Sequence, residues 1–87
     1  MKNSLFEMLV KTKKVEELKK EVKELERVLA NTSDETDHYE QIGDRLMEEV
    51  CSALYNKYNL KRLKTLLQIN LLEKEILDFE INTALAD

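Results

Sequence analysis

The chain has 87 residues, 37% of them charged, with a formal net charge of −4, one Gly, one Cys and no Pro. That length suits a single domain, residues 1–87, and a Leu-, Glu- and Lys-rich composition without breakers reads as long helix or coiled coil. A lone Cys excludes an internal disulfide, a lone Gly excludes a Gly-rich phosphate loop, and no apolar run approaches the ~20 residues that cross a bilayer.

The first residues, MKNSLFEMLVKTKK, lack the long apolar stretch and the small-residue cleavage site of a signal peptide. A cytosolic protein is expected, with Cys51 as a small buried apolar residue in a reducing compartment. Eleven lysines against three arginines hint at a low-GC bacterial or phage source.

Ser4-x-x-Glu7 has the form of a capping box, which would open a helix by satisfying free backbone N–H groups. Val15, Leu18, Val22, Leu25 and Leu29 then recur at alternating spacings of three and four, the a/d seam of a heptad. Met8 extends that seam backwards, but Lys11 occupies its next core position. A first helix over 4–30 is expected.

Asn31 to Asp37 reads as the one loop, because N-cap formers cluster there and Thr32-x-x-Glu35 is a second possible capping box. The helix beginning near residue 34 would bury Tyr39, Ile42, Leu46, Val50, Ala53 and Leu54, with Gly43 inside it at a cost of about 1 kcal/mol relative to Ala.

Asn56 and Asn59 are poor mid-helix residues. They allow either a turn, which gives a three-helix bundle, or a bend within one kinked helix over 34–86. The absence of Gly or Pro favours the bend. The fold class is therefore all-α: a long antiparallel hairpin or a three-helix bundle.

Residues 60–85 are the most apolar part. Leu60, Leu63 and Leu67 form one stripe, and Leu66, Ile69, Leu72, Ile76 and Phe79 form another. Two stripes require cover from two sides. With helix 1 ending near residue 30, the second stripe is expected to lie between copies in a homo-oligomer, with Asn70 at its edge to fix register.

Charge is segregated along the chain, +4 over residues 51–64 and −6 over 34–50. A turn in the thirties would bring Lys11, Lys13 and Lys14 to the same end as residues 57–64 and make the molecule basic at one end and acidic at the other. Tyr55, Lys57, Tyr58, Lys61, Arg62 and Lys64 are the candidate partner- or anion-binding group, with ring faces for stacking and cations for phosphate. Nucleic acid ranks last as a partner on net charge.

Catalytic chemistry is sparse. Glu35-x-x-His38 has the spacing of half a dinuclear metal site, but no second motif accompanies it, and the serines have no nearby base. Neighbouring carboxylates such as Glu48 and Glu49 diverge by about 100° on a helix. The expectation is a non-enzymatic binding module without cofactor or metal. It would be a small adaptor or inhibitor that assembles with itself and meets a protein partner through its charged ends. The alternative is a homo-oligomer that sequesters a small anionic ligand, such as a nucleotide, at Tyr55–Lys64.

Overall fold

The computed structural model describes the backbone of residues 2–86 and the side chains of residues 5–86. Two helices account for nearly all of it: α1 over Lys2–Gln41 and α2 over Arg45–Ala86. They pack as an antiparallel hairpin with extents of 65 × 16 × 14 Å. At 1.5 Å per residue each helix is about 60 Å long, so the rod is as long as one helix and two helices wide.

The expected loop at 31–37 is a correction: α1 runs straight through it. The heptad spacing explains why. From Leu25 and Leu29 the three-four alternation continues through Thr32, Thr36 and Tyr39, and Thr32 is buried at 7% exposure. The threonines do not cap a helix. Thr32 Oγ1 donates to the Val28 carbonyl and Thr36 Oγ1 to the Thr32 carbonyl, both at 2.8 Å. These back-bonds satisfy hydroxyls that face α2. The capping role given to Ser4 rests on a side chain outside the described residues, and α1 begins at Lys2 rather than 4.

The reversal lies instead at Ile42-Gly43-Asp44. Gly43 is not inside a helix; it adopts φ +76°, a left-handed conformation that costs an L side chain about 1–2 kcal/mol. Asp44 N–H donates to the Tyr39 carbonyl at 3.0 Å and Gly43 N–H to the Glu40 carbonyl at 3.1 Å. This six-to-one and five-to-two pair is a Schellman motif and closes the end of α1. Asp44 also opens α2, its Oδ1 accepting from Met47 N–H at 3.1 Å, which satisfies one of the free donors of the new helix. One Gly-Asp pair thus ends one helix and begins the next.

No turn occurs at 56–59, so the three-helix bundle is ruled out; α2 is continuous across those residues. Asn59 is accommodated because its Oδ1 accepts from Arg62 Nε at 3.2 Å and Nη2 at 3.0 Å. That contact occupies the amide, which would otherwise compete for the backbone.

The core is a seam between the helices. Val15, Leu18, Val22 and Ile69 form its centre, with Leu66, Leu72 and Ile76 packed against them. Leu25, Leu29 and Cys51 continue it towards the turn. On α2 the inward positions are Cys51, Tyr58, Arg62, Thr65, Ile69, Leu72, Ile76 and Phe79. They follow heptad spacing once Tyr55, at 36% exposure, fills its place. Thr65, like Thr32, is buried and bonds back one turn, to the Lys61 carbonyl at 2.9 Å.

The expected burial of Ile42, Leu46, Val50 and Leu54 is overturned. All four are exposed, Leu46 at 71%. Moving the turn from the thirties to residue 43 places Ile42 in the connection and rotates the other three away from α1.

Candidate interaction surface

The turn at Gly43 sets which charges meet. Lys11, half-buried at its seam position, reaches Glu75 at 2.7 Å, and Lys19 reaches Glu73 at 3.1 Å. The basic stretch 57–64 lies not beside Lys11, Lys13 and Lys14 but beside acidic residues of α1. Lys61 shares a depression with Glu21 and Glu24, and Arg62 shares another with Glu26. The expected acidic end is kept at the turn, which residues 34–50 flank, but the expected basic end is a correction: the cations of 57–64 lie mid-rod, away from Lys11, Lys13 and Lys14.

The candidate anion-binding residues are divided by the fold. Lys57, Tyr58, Lys61 and Lys64 line one shallow depression with Leu60. Tyr55 and Arg62 face another, with Glu26, Leu29, Ala30 and Ser33 of α1. Arg62 is engaged by Asn59 and half-buried, so three ammonium groups remain together and the guanidinium does not join them.

Leu66, Ile69, Leu72 and Ile76, expected between copies, pack against α1 of the same chain. Phe79 is half-buried further along the same face. The missing fact was the length of α1: at 40 residues it covers nearly all of α2.

What remains bare is the opposite face of α2. Leu46, Val50, Leu60, Leu67, Leu71, Ile81 and Leu85 sit at outward heptad positions along almost its whole length, flanked by Leu63 and Leu77. Their exposures run from 45% to 81%. The outward face of α1 differs: beyond Val10 it carries Lys13, Lys20, Arg27 and Asp34. Only its first turns are apolar, where Leu5, Phe6, Leu9 and Val10 are each more than half exposed. Of the two stripes on 60–85, the one through Leu66, Ile69, Leu72 and Ile76 packs against α1, and the one through Leu60, Leu63 and Leu67 is exposed.

The groups capable of chemistry lie apart from this surface. Glu35 and His38 belong to the last turns of α1, not to the start of a second helix. There His38, the one basic residue of the final turn, stands edge-on to Tyr39, with ring centroids 5.3 Å apart. Glu35 faces Cys51, whose Sγ–H donates to Oε2 at 3.9 Å. Burial, and then the Glu35 carboxylate, push the Cys51 thiol above its ordinary range, the opposite of what a reactive thiolate needs. Among the described residues no group of three or more His, Cys, Asp and Glu side chains is gathered as a metal site, and no helix is long and apolar enough to cross a membrane.

Comparison of the chain with known protein families, with curated proteins and with solved structures gave no match.

Proposed function

We propose that this protein works by binding another macromolecule rather than by catalysis, as a small adaptor or inhibitor in the cytosol. One observation carries the reading: the outward face of α2 is apolar over most of its length and is not used by the hairpin's own core. The face exposes Leu46, Val50, Leu60, Leu67, Leu71, Ile81 and Leu85, interrupted by Lys57, Lys64, Lys74 and Asp78, and large exposed apolar surface rimmed by polar residues marks an interaction site. Persisting in a charge-rich protein, such a stripe serves as the seat of a helix or an extended apolar segment. The first turns of α1, with Phe6 and Val10, add a second apolar surface at the open end of the rod.

Affinity capture from the native cell lysate tests this. The full chain retains a protein that is lost by Leu60→Glu/Leu67→Glu or by Phe6→Glu/Val10→Glu, each variant still helical by circular dichroism. A chain that retains nothing, or that retains the same proteins with both surfaces made polar, ends the reading.

A second reading rests on the depression where Lys57, Lys61 and Lys64 meet Tyr58: a site for a small anion such as a nucleotide. Ligand bound only by the folded state raises the melting midpoint, by about 2.7 kcal/mol of added stability at a hundredfold excess over Kd. A midpoint unmoved by a broad nucleotide panel removes this alternative.

A further inference from the structure

We infer that the outward face of α2 between residues 53 and 71 is the docking site for an acidic amphipathic helix of another protein. This deepens the proposed function by giving the partner a chemistry, and it rests on that reading in taking the face as a docking surface.

Charge chooses this occupant. From Val50 to Leu72, α2 holds no Asp or Glu, and its charged side chains there are Lys57, Lys61, Arg62 and Lys64. Arg62 is held by Asn59, and Lys61 stands near Glu21 and Glu24 of α1. Lys57 and Lys64 differ from both. They lie on the outward heptad row, exposed, and among the described residues neither makes an ion pair. Lys61 is four residues from Lys57 and three from Lys64, spacings at which like charges on a helix repel. A partner's carboxylates beside Lys57 and Lys64 relieve that repulsion, and a cationic partner adds to it.

The apolar positions occupy the same row. Leu60, Leu67 and Leu71 alternate with Lys57 and Lys64, and Leu63 flanks them; all four leucines are exposed. Leu60 also lines one depression with Lys57, Tyr58, Lys61 and Lys64, so an apolar side chain and a carboxylate can be received side by side. Leucines at this spacing take the apolar stripe of a helix, and the lysines between them take acidic residues on its flanks.

The two ends of the window limit what fits. Glu48 and Glu49 precede it, and Glu73, Asp78 and Glu80 follow it. An anionic surface that runs past either end meets like charge, which disfavours a nucleic acid or a membrane, since both extend beyond the window. Residues 53–71 span about 28 Å at 1.5 Å per residue, room for about five turns of a partner helix.

The test uses the full chain and a fluorescently labelled synthetic peptide of about 18 residues, with Leu at helical i, i+3, i+4, i+7 spacing and Glu on both flanks. Fluorescence anisotropy is expected to show binding that weakens as salt rises. Lys57→Glu/Lys64→Glu is expected to weaken it on the order of tenfold, and Leu60→Gln/Leu67→Gln by a similar factor. Lys13→Glu/Lys20→Glu makes the same change of net charge on the outward face of α1 and is expected to leave affinity within about twofold. Circular dichroism confirms that each variant stays helical. No binding, or equal weakening by Lys13→Glu/Lys20→Glu, overturns the site. A doubled chain mass in light scattering that returns to 10.3 kDa with Leu67→Gln gives the face to a second copy and overturns it too. So does sedimentation with phosphatidylserine vesicles that is lost in Lys57→Glu/Lys64→Glu, which gives the face to a lipid surface. The two readings fail separately. A protein captured through Leu60 and Leu67 by a chain that ignores the acidic peptide refutes the acidic chemistry alone. A chain that binds the peptide as expected yet captures nothing refutes the adaptor reading alone.

Discussion

Lys11 and Glu75 meet at 2.7 Å and stand at equal distances along the chain from Gly43. Glu35 and Cys51, in contact nearer the turn, are also symmetric about it. The register of the hairpin is therefore set at the turn and kept without slippage to its far end. If the Lys11–Glu75 contact helps hold that register, charge reversal discriminates. Lys11→Glu and Glu75→Lys each lower the melting midpoint, and the double reversal recovers most of the loss. The expected coupling is about 0.2–1 kcal/mol, the range of exposed pairs. A double-mutant cycle by thermal melting measures it, and additivity of the two losses would show the contact to be passive.

Gly43 is the next test. A Cβ built there meets nothing within 4 Å, so the cost of replacing it is conformational and not steric crowding. Gly43→Ala is expected to destabilise by about 1–2 kcal/mol, and Gly43→Asn by less, since Asn tolerates the left-handed region. Asp44→Ala, which removes the cap on Met47 N–H, should cost about 1 kcal/mol. Chemical denaturation of the three variants checks the order. An Ala variant as stable as the parent would mean that the turn forms some other way.

Much of the fold is legible in the sequence, and where it is not, the reason is chemical. The seam of Val15 to Leu29 is apolar at every position, so its period shows directly. From Thr32 to Thr36 the same period is written in hydroxyl side chains, which serve equally as caps or as inward residues bonded back one turn. Spacing, not residue type, was the signal that resolves them. The inner face of α2 is disguised in the same way. Its inward positions include Tyr58, Arg62 and Thr65, while the leucines 60, 63, 67 and 71 point outward. A hydrophobicity count therefore picks the wrong face near the middle of the helix. Gly43 followed by Asp44 was the true stop-and-start signal, and one displaced turn accounts for the misplaced charges, the misplaced core residues and the expected interface of Leu66, Ile69, Leu72, Ile76 and Phe79.

The seam itself predicts opposite responses to substitution. Leu18→Ala or Ile69→Ala opens a cavity in the seam and is expected to cost about 2–5 kcal/mol. Thr65→Val removes a hydroxyl from the same seam while its backbone carbonyl partner, Lys61, keeps its helical bond. That change should be neutral or stabilising by about 0.5–1 kcal/mol, since a modest hydrogen bond is exchanged for apolar burial. Equilibrium denaturation compares the three. Destabilisation by Thr65→Val as large as that of Ile69→Ala would show the back-bond to be essential to the seam.

Cys51 gives a pH dependence whose sign is fixed. Burial, followed by the charge of Glu35, raises the folded-state thiol above its ordinary value, so the unfolded chain loses the thiol proton first. Stability from this group is then fully present below the unfolded pKa of about 8.5 and declines as pH rises above it. Between pH 7.5 and 10 the midpoint of the parent is expected to fall more than that of Cys51→Ala, whose seam has no proton to lose. The difference between the two curves isolates the thiol from the tyrosines and lysines that titrate in both. Alkylation by a maleimide at pH 7.5 should also be slow in the folded chain and fast in denaturant, because the thiol is 2% exposed. Parallel pH curves together with rapid labelling would place Cys51 at an open surface and remove the Glu35 contact from the seam.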